Sequence, residues 1–307
     1  MEFRPQPGPQ EQFLSSSADI VIYGGAAGGG KTYGLLMEPM RHMDNGKFGA
    51  VLFRRETPQI TNEGGLWDTS FNLYPHVGAT PKEQPYQWTF PAGATVTMTH
   101  LQHEKDVYNW QGAQIPLLMF DELTHFTRKQ FFYMLTRNRS TCGVHPYVRA
   151  TCNPDPDSFL VDWPGREKGE GQGLIDWWIG DDGYPIPERS GVIRFFIVVS
   201  DTLRWADTPE ELKEKYGRHV RPKSITFIAS SIYDNKILLE ADPGYLANLE
   251  AQSMEEQMRL LHGNWKFRAE GGLVKRDQIQ HLGSKPRPAW CVWWWRSTLR
   301  DRHLEKR

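Results

Sequence analysis

The sequence predicts an α/β fold, with a mostly parallel sheet flanked by helices. Three observations carry this. Short β-branched, apolar runs recur along the chain. Segments long enough for helices separate them. The first run leads straight into a glycine-rich loop that opens a helix.

Ala18-Asp19-Ile20-Val21-Ile22-Tyr23 reads as a buried strand, and the segment from Tyr33 to Glu38 as the start of a helix. Between them, Gly25-Ala26-Ala27-Gly28-Gly29-Gly30-Lys31-Thr32 matches G-x-x-x-x-G-K-[ST] at every fixed position. Phosphates need several backbone N–H groups converging on one concavity. Glycines permit that path, and the helix that follows adds its positive end. In this pattern Lys31 reaches the β- and γ-phosphates of a nucleotide such as ATP, and the Thr32 hydroxyl binds magnesium. The expected fold is therefore that of a P-loop NTPase, RecA/ASCE-like, with a small helical linker or lid towards the C-terminus.

Gly49-Ala50-Val51-Leu52-Phe53 predicts a second buried strand, and Thr95 to Thr99 a half-exposed one by its alternation. Pro116-Leu117-Leu118-Met119-Phe120 predicts another buried strand, closed by Asp121-Glu122. An acid at the end of such a strand helps hold magnesium, and the carboxylate beside it can orient and deprotonate an attacking water. A helix is expected after Thr127, because Thr127 and Gln130 have capping-box spacing. Tyr147 to Cys152 predicts the next strand, ended by Asn153-Pro154.

Several residues admit two readings. Thr151 and Asn153 sit where a polar group could sense the γ-phosphate, or where an Asn-Pro turn simply ends a strand. Arg137 and Arg139, late in the helix after Thr127, could stabilise phosphoryl-transfer charge in their own chain or a neighbour's, or could complement the helix dipole. Arg54 and Arg55 end a strand where ligands bind in α/β sheets, yet surface arginines are common. Gln10 and Gln12 lie upstream of the loop, where a glutamine could read adenine or belong to a disordered polar terminus.

Residues 155 to 191 are rich in Gly, Pro and Asp and read as a long surface insertion. Val192 to Val199 and Ile225 to Ile228 predict the last strands. Asp242-Pro243 then opens a helix with an apolar stripe of Leu246, Leu249, Met254, Met258 and Leu261, ended by Gly263. This divides the chain into an ATPase domain over 1–230, a helical linker or lid over 231–270, and a tail over 271–307.

Composition sets outer bounds. Of 307 residues, 39% are hydrophobic and 24% charged, the balance of an ordinary globular protein. A net charge of -1 gives no global nucleic-acid footprint, so any DNA contact must be local. Cys142, Cys152 and Cys291 lack paired metal spacing and suit a reduced setting. No apolar run reaches membrane-span length, and the Pro- and Gln-rich start lacks a signal-peptide core, so the cytoplasm is the expected location.

Taken in order, these segments resemble the ATPase domain of the phage terminase large subunit, the motor that packages DNA into procapsids. The series begins with Pro9 to Leu14, Ile22 to Thr32 and Leu52 to Arg55. Tyr108 to Gly112, Phe120 to Phe126, Thr136 to Arg139 and Ala150 to Pro154 follow. It ends with Tyr233 to Asn235, Asp242 to Tyr245 and Leu260 to Trp265, so it spans about residues 9 to 270.

The resemblance implies that Lys31 and Thr32 are the Walker A lysine and magnesium ligand, Asp121 the Walker B acid and Glu122 the catalytic glutamate. It implies that Thr151 to Asn153 form the coupling motif, that Arg137 or Arg139 matches a trans-acting arginine, and that Gln10 contacts adenine. Its partners would be double-stranded DNA, the terminase small subunit and the portal protein, in a homo-oligomeric ring. The family adds a nuclease domain with metal-binding acids. Here Val292 to Trp295 reads as that domain's first strand, but Asp277, Asp301 and Glu305 do not fall in three strand contexts. The expectation is a truncated or frameshifted end without nuclease activity. A helicase-like translocase shares the loop and the acid pair but would need a second RecA-like domain, for which residues 155 to 270 are too short and irregular. A prophage remnant that binds ATP without packaging is the third reading.

Overall fold

A computed structural model describes residues 3–161 and 173–268. Its ten strands, in chain order, are β1 (Ile20–Gly25), β2 (Gly49–Arg54), β3 (Thr80–Glu83), β4 (Tyr86–Thr89), β5 (Thr95–His100), β6 (Leu117–Phe120), β7 (Tyr147–Cys152), β8 (Arg194–Val199), β9 (Thr202–Ala206) and β10 (Lys223–Ser230). They form one sheet in the order β3-β4-β5-β2-β6-β7-β1-β10-β8-β9. The six central strands, β5 to β10 in that order, run parallel, and an antiparallel hairpin closes each edge. The predicted fold class holds.

A parallel sheet is covered on both faces, which is why β1, β6 and β7 are buried at every position, with Arg149 and Thr151 of β7 the polar exceptions to an apolar pattern. Alternate residues feed two cores. Ile20, Ile22, Phe120, Val148 and Phe227 face one side with Phe131, Trp178 and Trp265. Val21, Tyr23, Met119 and Ile228 face the other with Phe13, Leu35 and Leu36. Helices α1 (Pro9–Ser15), α2 (Lys31–Met37), α3 (Pro58–Thr61), α4 (Leu66–Ser70), α5 (Arg128–Leu135), α6 (Pro209–Tyr216), α7 (Lys236–Ala241), α8 (Gly244–Glu250) and α9 (Met254–Glu256) complete the architecture. α5 starts as predicted. The Thr127 hydroxyl accepts from the Gln130 N–H, and the Gln130 side chain accepts from the Thr127 N–H.

The structure corrects several expectations. The stretch read as a surface insertion contributes to the core among its described residues: Phe159, Leu160, Leu174, Ile175 and Trp178 are buried beneath the sheet. The single helix expected from Asp242 is broken into α8, α9 and a π-helical turn, Gln257–Leu261. Ser253 accepts from the Glu256 N–H and restarts the helix, while the first-turn cap expected from Asp242 is absent. The β3–β4 hairpin and β9 were not anticipated. The predicted strand at Val292 and the acids after it lie outside the described residues.

Candidate nucleotide site

The glycine loop leaves the C-terminal end of β1 and enters α2. Gly25 is held tightly against β10: a Cβ there would lie 2.1 Å from the Ser230 carbonyl oxygen, at φ +138°. Gly30 at φ +73° turns the chain into the helix. Side chains from outside tie the loop's carbonyls. The Tyr23 hydroxyl donates to Gly29 O (2.8 Å), Gln10 Nε2 to Gly30 O (2.9 Å) and Asn235 Nδ2 to Gly28 O (2.6 Å). The C=O and the following N–H of a planar trans peptide point opposite ways. Turning these carbonyls outward therefore turns the amides of Gly29, Gly30 and Lys31 inward, as a phosphate requires.

Lys31 Nζ folds over the loop and donates to Gly25 O (3.3 Å) and Ala26 O (2.6 Å). Only 7% of the residue is exposed. Burial pulls its ammonium below the ordinary lysine range, and the nearby Glu122, Cys152 and Asp121 partly offset this. The same burial pushes the Cys152 thiol well up, so it is an apolar wall of the site.

Asp121 closes β6 and is 2% exposed. Both of its oxygens are engaged: Oδ1 by the Thr151 hydroxyl, and Oδ2 by Arg54 Nε at 2.7 Å. Glu122 adopts a left-handed backbone at φ 56°, which turns its side chain back towards β7. There the Asn153 N–H donates to Oε2 (3.0 Å) and Asn153 Nδ2 to Oε1 (2.7 Å). Strands β6 and β7 thus deliver the two acids and the two polar residues to one place, with the Lys31 charge within their field.

Other candidates fall differently. Gln10 is 5% exposed, and its amide is already engaged by Gly30 O and the Gln6 N–H, so it braces the loop. Gln12 is exposed. Arg55 bonds Gln130 (2.9 Å) and so supports the cap of α5. Arg137 and Arg139 lie beyond α5, not within it. The Arg137 carbonyl accepts from the Ile115 N–H, and the Arg139 guanidinium donates to Gly112 O and Ala113 O, just before β6 begins. That is the sheet edge opposite the loop. Both are thus held away from the glycine loop of their own chain. Asn235 and Tyr23 were not singled out as contributors, although both stand in runs of the series, Tyr233 to Asn235 and Ile22 to Thr32, while Arg54, one of the two strand-end arginines, contributes through Asp121.

A strand, glycine loop and helix, with an acid pair closing a strand two places away in a parallel sheet, define the P-loop NTPase fold. Residues 22–281 match the family model described as terminase large subunit, T4likevirus-type, N-terminal, and the chain belongs to that family. No curated protein matches the chain in sequence. Among solved structures, the large terminase of a thermophilic bacteriophage in complex with ADP is 14% identical, with a TM-score of 0.50 over 85% of this chain and 54% of that one. The ATPase domain of the Thermus phage P74-26 large terminase is 11% identical, with a TM-score of 0.45 over 86% of this chain and 94% of that one. The HK97 bacteriophage large terminase is 11% identical, with a TM-score of 0.45 over 87% of this chain and 51% of that one. The chain thus spans about half the length of the full large terminases it resembles. Among the described residues, no helix is long and apolar enough to cross a membrane.

Proposed function

We propose that the chain is the ATP-hydrolysing part of a phage DNA-packaging motor, coupling hydrolysis to translocation of double-stranded DNA into procapsids. The observation that carries this is the convergence of Lys31, Asp121, Glu122, Thr151 and Asn153 at one edge of the sheet, in a chain of the terminase family. In this reading the loop amides and Lys31 hold the β- and γ-phosphates. Glu122 takes a proton from water as its oxygen bonds to the γ-phosphorus and the bond to the departing ADP breaks.

Thr32 and Asp121 are hard oxygen donors suited to magnesium, which is commonly held by one or two protein oxygens plus phosphates and waters. When bound, the ion neutralises charge on the phosphates. Thr151 and Asn153 couple the acids to β7. Gln10 retains one donor and one acceptor position for adenine. The described part of the expected lid, residues 231–268, closes on the loop: Leu260 O accepts from the Ala27 N–H at 2.7 Å, and Asn235 holds Gly28. Arg137 or Arg139 could act on a neighbour's nucleotide in a ring. The small subunit and portal are the expected partners, in the host cytoplasm. The test is paired: Lys31→Ala should lose ATP binding and hydrolysis, and Glu122→Gln should keep binding and lose hydrolysis. Equal hydrolysis in Glu122→Gln would refute the assignment.

A further inference from the structure

We infer that Arg54 is a resident counter-ion of Asp121 that must give up Oδ2 to an incoming divalent cation, so that Arg54 sets how much metal the site demands. The inference rests on the proposed nucleotide reading and adds to it a role for a residue outside the glycine loop and the acid pair.

The argument begins with burial. A carboxylate as enclosed as Asp121 needs a charged or hydrogen-bonding partner on each oxygen. Lys31, the other nearby cation, spends its hydrogen bonds on Gly25 O and Ala26 O, which leaves the direct ion pair to Arg54. The two partners of Asp121 differ in mobility. Thr151 is fully buried in the middle of the sheet and cannot retreat. The Arg54 side chain is 20% exposed against 3% for Asp121, and it projects from the last residue of β2, so it can swing towards solvent while Asp121 stays. A guanidinium and a divalent cation on one carboxylate oxygen repel each other, so a cation that takes Oδ2 weakens the hold of Arg54 on it. Of the two oxygens, Oδ2 is therefore the one open to exchange, and Arg54 competes for it. Arg54 acts through Asp121, so it is a positioning residue.

The experiment uses the full chain at pH 8 and reads binding rather than turnover. A fluorescent, non-hydrolysable ATP analogue is titrated with Mn2+ for wild type, Arg54→Gln and Arg54→Lys, and the unfolding temperature of each is recorded without metal. The expected result is a half-saturating Mn2+ about 10-fold lower in Arg54→Gln, the size of a typical coupling between competing sites, and close to wild type in Arg54→Lys. Without metal, Arg54→Gln should unfold at a lower temperature and recover when Mn2+ and analogue are added together. A merely structural role would lower stability without moving the metal requirement. Half-saturation that is unchanged or higher in Arg54→Gln, with the analogue bound by both proteins, overturns the inference. A wild type that binds no analogue at any Mn2+ concentration sinks the nucleotide reading instead. In that event the metal-free comparison still judges the counter-ion, and equal unfolding temperatures would reject it.

Discussion

Asn153 holds both oxygens of the Glu122 carboxylate, one through its backbone N–H at 3.0 Å and one through its side-chain amide at 2.7 Å. The residue at the end of β7 therefore fixes the direction in which the proposed base points. Any displacement of β7 relative to β6 is passed to that carboxylate.

The first prediction follows from this grip. Asn153→Ala removes the side-chain donor but keeps the backbone one, so Glu122 loses its orientation. Steady-state ATP hydrolysis should fall by about 100-fold in kcat, the lower end of the range for positioned acid–base catalysis, with little change in KM. Asn153→Asp should be worse, since it sets a second carboxylate against the first. A kcat unchanged in the alanine variant would remove Asn153 from the site.

Lys31 carries an opposite prediction for stability. Its folded-state pKa lies below the unfolded value because burial disfavours the ammonium. The penalty is full at pH values below the folded pKa and is relieved as pH rises towards the ordinary lysine value of about 10.4. Lys31→Met should therefore unfold at a higher temperature than wild type at pH 7, with the gap narrowing as pH approaches 10, while hydrolysis is lost. Calorimetry showing a less stable variant at pH 7 would contradict the desolvation argument.

The buried pair on the other face of the sheet predicts structural cost alone. Arg149 lies within β7, stacked 4.6 Å from the Tyr147 ring centre. It faces Glu38, whose carboxylate oxygen is 3.8 Å from Arg149 Nε and also accepts from Arg41. Glu38→Ala strands a buried guanidinium and should cost about 3–5 kcal/mol in urea unfolding. Arg41→Ala removes a half-exposed partner and should cost no more than about 1 kcal/mol. Equal losses would mean that the buried pair is not what stabilises this face.

Asp19, just before β1, governs part of the acid limb. Burial pushes its carboxyl up, but the Ser224 N–H, the His145 ring and the Lys223 charge together hold it below the ordinary value. Because the folded pKa is depressed, its contribution is present above the ordinary Asp value and lost as pH falls through the folded one. Asp19→Asn should lower stability at pH 7 and flatten the fall below about pH 4, the ordinary range for Asp. Parallel acid limbs for variant and wild type would assign the acid sensitivity elsewhere.

What could be seen in the sequence was what is local. The loop from Gly25 to Thr32, the acids after Phe120 and the Thr127–Gln130 box are contiguous signals, and β7 matches its predicted run residue for residue. The β4 strand escaped notice because Trp88 is its lone fully buried residue among half-buried neighbours. The segment 155–191 misled because its few buried apolar residues, Phe159, Leu160, Leu174, Ile175 and Trp178, are scattered in a sequence rich in Gly, Pro and Asp. The relationship of Arg54 to Asp121 spans 67 positions, and Arg137 and Arg139 look equivalent to Arg54 until the sheet assigns them to opposite edges. Non-local pairing of this kind has no periodicity to read.

The most direct test of the central claim is the rate of ATP hydrolysis by the purified chain with and without double-stranded DNA, with Lys31→Ala and Glu122→Gln as blanks. The account predicts hydrolysis that rises several-fold with DNA and is absent from both variants. Hydrolysis that ignores DNA, or that persists in Glu122→Gln, would contradict it.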